Sequence, residues 1–142
     1  AWTTLEIEAA LLAALEPLKA EAGVATIEAV ADDEAAVVAR NTFRHPAILS
    51  YYAGMENEDR GQRQFEEYTY WLFCAAKHLR SKESALPGAR ELLQLAREKL
   101  RGKILLEGLF PAVLCREQAM PVDGAGLVVY AAEYRIKQAV LL

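Results

Sequence analysis

The sequence predicts an α+β fold: a mostly antiparallel sheet of about five strands with two main helices packed on one face. Three observations lead there. Two stretches carry apolar residues at helical spacing, one at the start of the chain and one about two thirds along it. Five short segments are rich in β-branched and aromatic residues. The order of these segments is helix, strand, short helix, two strands, helix, two strands, which differs from the strict strand–helix alternation of a parallel sheet. With 142 residues, no internal repeat and no low-complexity stretch, the expected organisation is a single domain over 1–142.

The first helix follows from Thr3 and Glu6 at capping-box spacing, with Ile7, Leu11, Ala14, Leu15 and Leu18 behind them as an apolar stripe. Pro17 lacks a backbone N–H and its ring crowds the carbonyl four residues back, so the helix kinks or frays there, and Gly23 ends it. "VATIEAV" is β-branched and strand-sized, and Asp32 or Asp33 can cap a brief helix carrying "EAAVVAR". After Pro46, "AILSYYAG" reads as a second strand closed by Gly54, followed by a charged loop over residues 55–64. From Phe65 to Ala76 two faces alternate as in a long strand: Phe65, Glu67, Thr69, Trp71, Phe73 and Ala75 on one, Glu66, Tyr68, Tyr70, Leu72, Cys74 and Ala76 on the other. "KHLRSKESALPG" is a polar connection. Pro87 opens the second main helix, with Ala89, Leu92, Leu93, Ala96 and Leu100 as its stripe and Gly102 as its stop. "LFPAVLCRE" and "GLVVYAAEYRI", separated by the turn-rich "QAMPVDGAG", complete the set as two antiparallel strands.

Composition narrows the function. Apolar residues make up 54% and charged residues 25%, ordinary for a globular chain, and the net charge of −4 leaves no basic footprint for gripping nucleic acid. The start of the chain has no secretory pattern and no apolar run reaches membrane-spanning length, so a soluble protein folding in the cytosol is expected. Cys74 and Cys115 lie in apolar segments and read as buried thiols that pack as small hydrophobes. His45 and His78 have no metal-ligand spacing around them, Ser50 and Ser84 lack a nucleophile elbow, and "DGAG" lacks the strand-before, helix-after setting of a phosphate loop. No catalytic, metal or cofactor residue is therefore assigned, and an enzyme is not expected.

What remains is charge. Residues 56–67 hold Glu56, Glu58, Asp59, Glu66 and Glu67 against Arg60 and Arg63, net −3, whereas residues 90–103 hold Arg90, Arg97, Lys99, Arg101 and Lys103 against Glu91 and Glu98, net +3. Solvated charge on a loop and cations at a helix C-terminus account for each cluster separately. Together they suit head-to-tail contact between identical subunits, in which a heterologous interface closes into a ring. The candidate lumen or inter-subunit residues are accordingly Glu56, Glu58, Asp59, Arg60, Arg63, Glu66, Glu67, Arg97, Arg101 and Lys103.

The helix "IEAALLAALEPL", the strand "RHPAILSYYAG", the aromatic strand "YTYWLFCAA", the helix "PGARELLQLAREKLRG" and the strand "GLVVYAAEYRI" occur in an order that resembles the tail terminator (tail completion) proteins of Mu-like phages, over residues 7 to 136. The resemblance implies a tail-terminator-like fold and a structural virion protein. Six copies would form a ring that caps the tail tube, ends its polymerisation and joins tail to head. The implied partners are the chain itself, the tail tube protein and a head–tail connector or neck protein, with DNA passing through the lumen without sequence-specific binding, and no membrane. The implied location is the host cytoplasm during assembly and then the head-proximal end of the tail. No cofactor and no catalytic residue is implied. An acidic lumen would let DNA slide through, because a basic one would hold the phosphate backbone. Two alternatives stand beside this one: a neighbouring connector or neck protein, and a small cytosolic α+β protein-binding module.

Overall fold

A computed structural model of the chain describes residues 1–31, 43–77, 86–120 and 126–140. The short helix expected after Asp32 and Asp33, His78, Ser84 and most of the "DGAG" turn lie outside the described residues. The described elements are α1 (Thr4–Leu15), α2 (Leu18–Ala22), β1 (Thr26–Val30), β2 (Ala47–Arg60), β3 (Arg63–Lys77), α3 (Ala89–Leu100), β4 (Val113–Met120) and β5 (Leu127–Val140). The five strands form one sheet in the order β1-β2-β3-β5-β4, antiparallel throughout except for the parallel pair β1–β2. The α+β architecture expected from the sequence is the one observed.

Local signals explain the helices. Thr3 Oγ1 accepts the Glu6 N–H at 3.1 Å and a Glu6 carboxylate oxygen accepts the Thr3 N–H at 3.0 Å, which completes the capping box. At Pro17 the helix breaks: α1 ends at Leu15 and Pro17 caps the single turn of α2, which Gly23 closes at φ +76°. The stripes Ile7, Leu11, Leu15 and Leu92, Leu93, Ala96, Leu100 face the same side of the sheet. There they pack on Ile48, Tyr68, Tyr70, Leu72, Ala132, Tyr134 and Ile136 to form the main core. Two ion pairs pin α3 at its flanks: Lys99 to Glu21 of α2 at 2.8 Å, and Arg97 to Glu117 of β4 at 2.9 Å, the latter close in distance but not aligned as a hydrogen bond.

Two sequence expectations change. The charged run at 55–64 is not a loop, because β2 continues through it to Arg60 and β3 begins at Arg63. The strands are joined by a two-residue turn in which Gly61 adopts φ +73°, the left-handed conformation a tight hairpin requires. Gly54 does not close the strand either. The pairing register steps from Tyr52↔Tyr70 to Gly54↔Thr69, so Ala53 is the extra residue of a β-bulge, with Gly54 at φ +135°. The bulge reverses the side-chain alternation: Ile48, Ser50 and Tyr52 face the helices before it, whereas Glu56 and Glu58 face the opposite side after it, in register with Glu67 and Phe65.

β4 starts at Val113 rather than Leu109, and Leu109 forms only an isolated bridge with Gln138. A second bulge at Cys115 leaves that thiol exposed, contrary to the buried state expected, while Cys74 is fully enclosed and its thiol is pushed far up by burial. β5 runs on past Ile136 to Val140.

One buried acid sits between helix and sheet. Glu8 of α1, 9% exposed, accepts a hydrogen bond from Ser50 Oγ at 2.8 Å, and desolvation raises its carboxyl above the ordinary 4.5. A group raised in the folded state favours folding most below its unfolded pKa, and that contribution is lost as pH rises through the folded value. Urea midpoints of the wild type and Glu8→Gln should therefore lie closest at pH below 4.5 and diverge in favour of the variant toward neutrality. A packing test is independent of charge. Leu72→Ala, at a side chain with no exposure on the central strand, should lower unfolding free energy by about 2–5 kcal/mol. Leu5→Ala, at 76% exposure, should change it by less than ~0.5 kcal/mol in the same denaturant titration.

Candidate functional site

The sheet face away from the helices carries a lattice of charge at its hairpin half. Alternation along β5 puts Glu133, Arg135 and Lys137 on this face, and the two bulges deliver Glu58 and Arg116 to it. Glu133, 5% exposed, receives Arg116 Nε at 3.2 Å and Arg135 Nε at 2.9 Å. Arg135 also reaches Glu67 at 3.4 Å, and Lys137 lies 3.4 Å from Glu58 and 3.9 Å from Glu67. Glu56 and Glu67 stand directly opposite one another across β2–β3, a like-charge pairing that costs stability, and the β5 cations offset it from the other side of Glu67. Arg116 lies over the Trp71 ring at 5.0 Å, while Arg60 and Lys137 each lie 5.9 Å from the Phe65 centroid.

Beside the lattice is a groove of about 420 Å³ floored by Phe65, Phe110, Pro111 and Val113, with Phe65 and Phe110 in edge contact at 6.0 Å. Its walls are the ion-paired Glu58, Glu67, Arg135 and Lys137. Among the described residues no cluster of His, Cys, Asp and Glu could hold a metal ion, and no helix is long and apolar enough to cross a membrane. The chemistry available here is recognition of surface: apolar contact rimmed by paired charge.

The sequence-derived candidates separate into three groups. Glu58, Arg60, Glu67 and Arg97 are held within the chain, Glu58 by Arg60 and Lys137, and Arg97 by Glu117. Glu66 is on the helix side, where it accepts the Tyr68 hydroxyl at 2.8 Å, and Tyr68 in turn accepts Gln138 Nε2 at 2.6 Å. Burial is the main reason the Tyr68 phenol is pushed up to about 12. Glu56, Asp59, Arg63, Arg101 and Lys103 are exposed. The acids among these last belong to β2, near one edge of the sheet. Arg101 and Lys103 flank the opposite edge, since the Gly102 N–H donates to Ala112 O at 2.8 Å and the Ala112 N–H to Lys103 O at 2.9 Å, just before β4 begins. Sequence reasoning missed Arg116, Glu133, Arg135 and Lys137. The alternation Glu133-Arg135-Lys137 is a usable signal, masked by the apolar residues Val128 to Ala132 that precede it in the same strand.

No protein-family model matches the chain, and no curated protein sequence does. Among solved structures the fold is similar to that of a chain in the virion of a native gene transfer agent (GTA) particle, with a TM-score of 0.61 and 13% identity over 94% of each chain. At that identity the shared property is the fold, over nearly the full length of both chains.

Glu133 is the joint of the charge lattice. Glu133→Ala would leave two arginines without their shared acceptor and should lower stability by about 1–3 kcal/mol, with Glu133→Gln intermediate. Chemical denaturation of the two variants beside the wild type checks this.

Proposed function

We propose that this chain is a structural virion protein and, more specifically, a tail terminator. Six copies form a ring on the last ring of tail-tube protein, end its polymerisation and present the surface that meets the head–tail connector, while DNA passes through the lumen without sequence-specific contact. The observation that carries the reading is the near full-length likeness of fold to a chain of a GTA virion. The order of sequence segments that resembles Mu-like tail terminators supports the same class from an independent direction. The charged face agrees with it in kind, since its ionic groups hold a sheet surface together and border an apolar groove. A protein of this role belongs at the head-proximal end of the tail once assembled.

Adding the purified chain to polymerising tube protein tests the proposal. Tubes should stop growing at a length set by the time of addition, and negative-stain images should show extra density of about six subunits at one tip. Tubes that elongate at the same rate with and without the chain would reject capping.

A further inference from the structure

The sheet ends in two open edges of different kinds. At one, β1 pairs only with residues 47–51 of β2, so residues 52–60 have no strand partner on the side away from β3 among the described residues. Within that stretch Ala53, Met55, Glu56, Asn57, Asp59 and Arg60 are exposed. At the other edge β4 has, among the described residues, a strand partner on one side only, β5, and no residue of β4 is buried. Unpaired backbone N–H and C=O groups along an exposed edge are a template for another strand, and natural edges are commonly shortened, covered or interrupted by proline to prevent that. Residues 52–60 contain no proline, but they carry the bulge at Ala53 and the charges of Glu56, Glu58, Asp59 and Arg60, devices that oppose indiscriminate pairing and favour a partner edge of complementary charge.

We infer that these two edges pair with each other between copies: residues 52–60 of β2 in one copy add to β4 of the next. Three features of the structure support a second copy as the occupant. Strand direction is the first. β2 is antiparallel to β3, β3 to β5 and β5 to β4, so β2 and β4 run in opposite senses, and a neighbouring copy set beside β4 in the same orientation continues the antiparallel alternation. The second is where apolar surface is exposed. Among the described residues, the large exposed hydrophobic side chains include Met55 on the β2 edge and Ile104, Phe110 and Val113 around the start of β4. The third is charge. In the antiparallel arrangement the tip of β2, where exposed Glu56 and Asp59 stand beside an Arg60 already paired with Glu58, comes to the start of β4, where Arg101 and Lys103 are exposed. An apolar centre with a charged rim is the usual anatomy of a protein interface.

Because the two edges differ, the contact is heterologous, and repetition of one such contact yields a ring when the rotation closes. The free part of β2 lies toward the hairpin tip while β4 lies level with residues 47–54 of β2, so each copy is offset along the strands from the last. A sheet that closes on itself needs such a stagger. The inference rests on the reading that copies of this chain associate into a ring, and not on what the ring caps.

Cys115 provides the test, since it is exposed on β4 while Cys74 is fully enclosed. Single substitutions Met55→Cys, Glu56→Cys, Asn57→Cys and Asp59→Cys are made in the full chain and oxidised, free in solution and on capped tube ends. Each is paired with a control that also carries Cys115→Ser. Directly paired residues on adjacent strands fall within disulfide reach, of about 4.4–6.8 Å between Cα atoms, and others do not. A ladder of covalent oligomers up to the ring size is expected at one or two of the four positions, absent from its control. Ladders of equal yield at all four positions, or at none, overturn the pairing. Normal arrest of tube growth without a ladder removes edge pairing and leaves capping intact. A ladder with freely growing tubes does the reverse.

Discussion

The constraint on which the rest of the structure depends is the central strand β3, fifteen residues paired along nearly its whole length with β2 on one side and β5 on the other. Its two-residue period divides the molecule into two environments. Tyr68, Tyr70, Leu72 and Cys74 point to the helices, where Tyr70 is fully buried and its hydroxyl donates to the Thr4 carbonyl at 2.8 Å. Thr69, Trp71, Phe73 and Ala75 point to the other face, where Leu49, Val129 and Ala131 make a second, smaller apolar cluster. A slip of one residue against either neighbour would exchange these environments wholesale, so register is held by burial on both sides.

Two single-residue irregularities convert this regular frame into a surface with a distinct charge pattern. The bulge at Ala53 turns Glu56 and Glu58 away from the helices, which they would otherwise face, and the bulge at Cys115 sends Arg116 to the outer face and Glu117 toward Arg97. Each places an ionisable group where an opposite charge is available. The outer face is therefore a connected set of ion pairs, with Glu133 as its least exposed member, rather than a free acidic patch. Outside that set, Glu56 and Asp59 are exposed on one flank of the sheet and Arg101 and Lys103 on the other.

Much of the architecture was legible in the residue order, and the reasons are local. The Thr3–Glu6 box, Pro17, the stripe from Ala89 to Leu100 and the alternation after Phe65 each act over a few residues, so helix limits and strand identity could be read directly. The charged run before Phe65 reads as a loop because polar composition resembles solvent exposure, yet its residues ladder with β3, and β3 in turn with β5 as far as Gln64↔Val140, so exposed side chains sit on a paired backbone. Gly54 is ambiguous for a similar reason: glycine in a strand marks either an end or a bulge, and only the partner strand tells which.

The sequence by itself determined the class of the fold, the apolar face of each helix, and the side of β3 that each residue occupies, because these depend on periodicity and on capping within a single segment. Tertiary structure alone decided the strand order, the bulges, and which of the many charges are paired and which remain exposed. Those outcomes depend on contacts between residues far apart in the chain, such as Glu58 with Lys137 and Glu67 with Arg135, and no local pattern contains the distance between them.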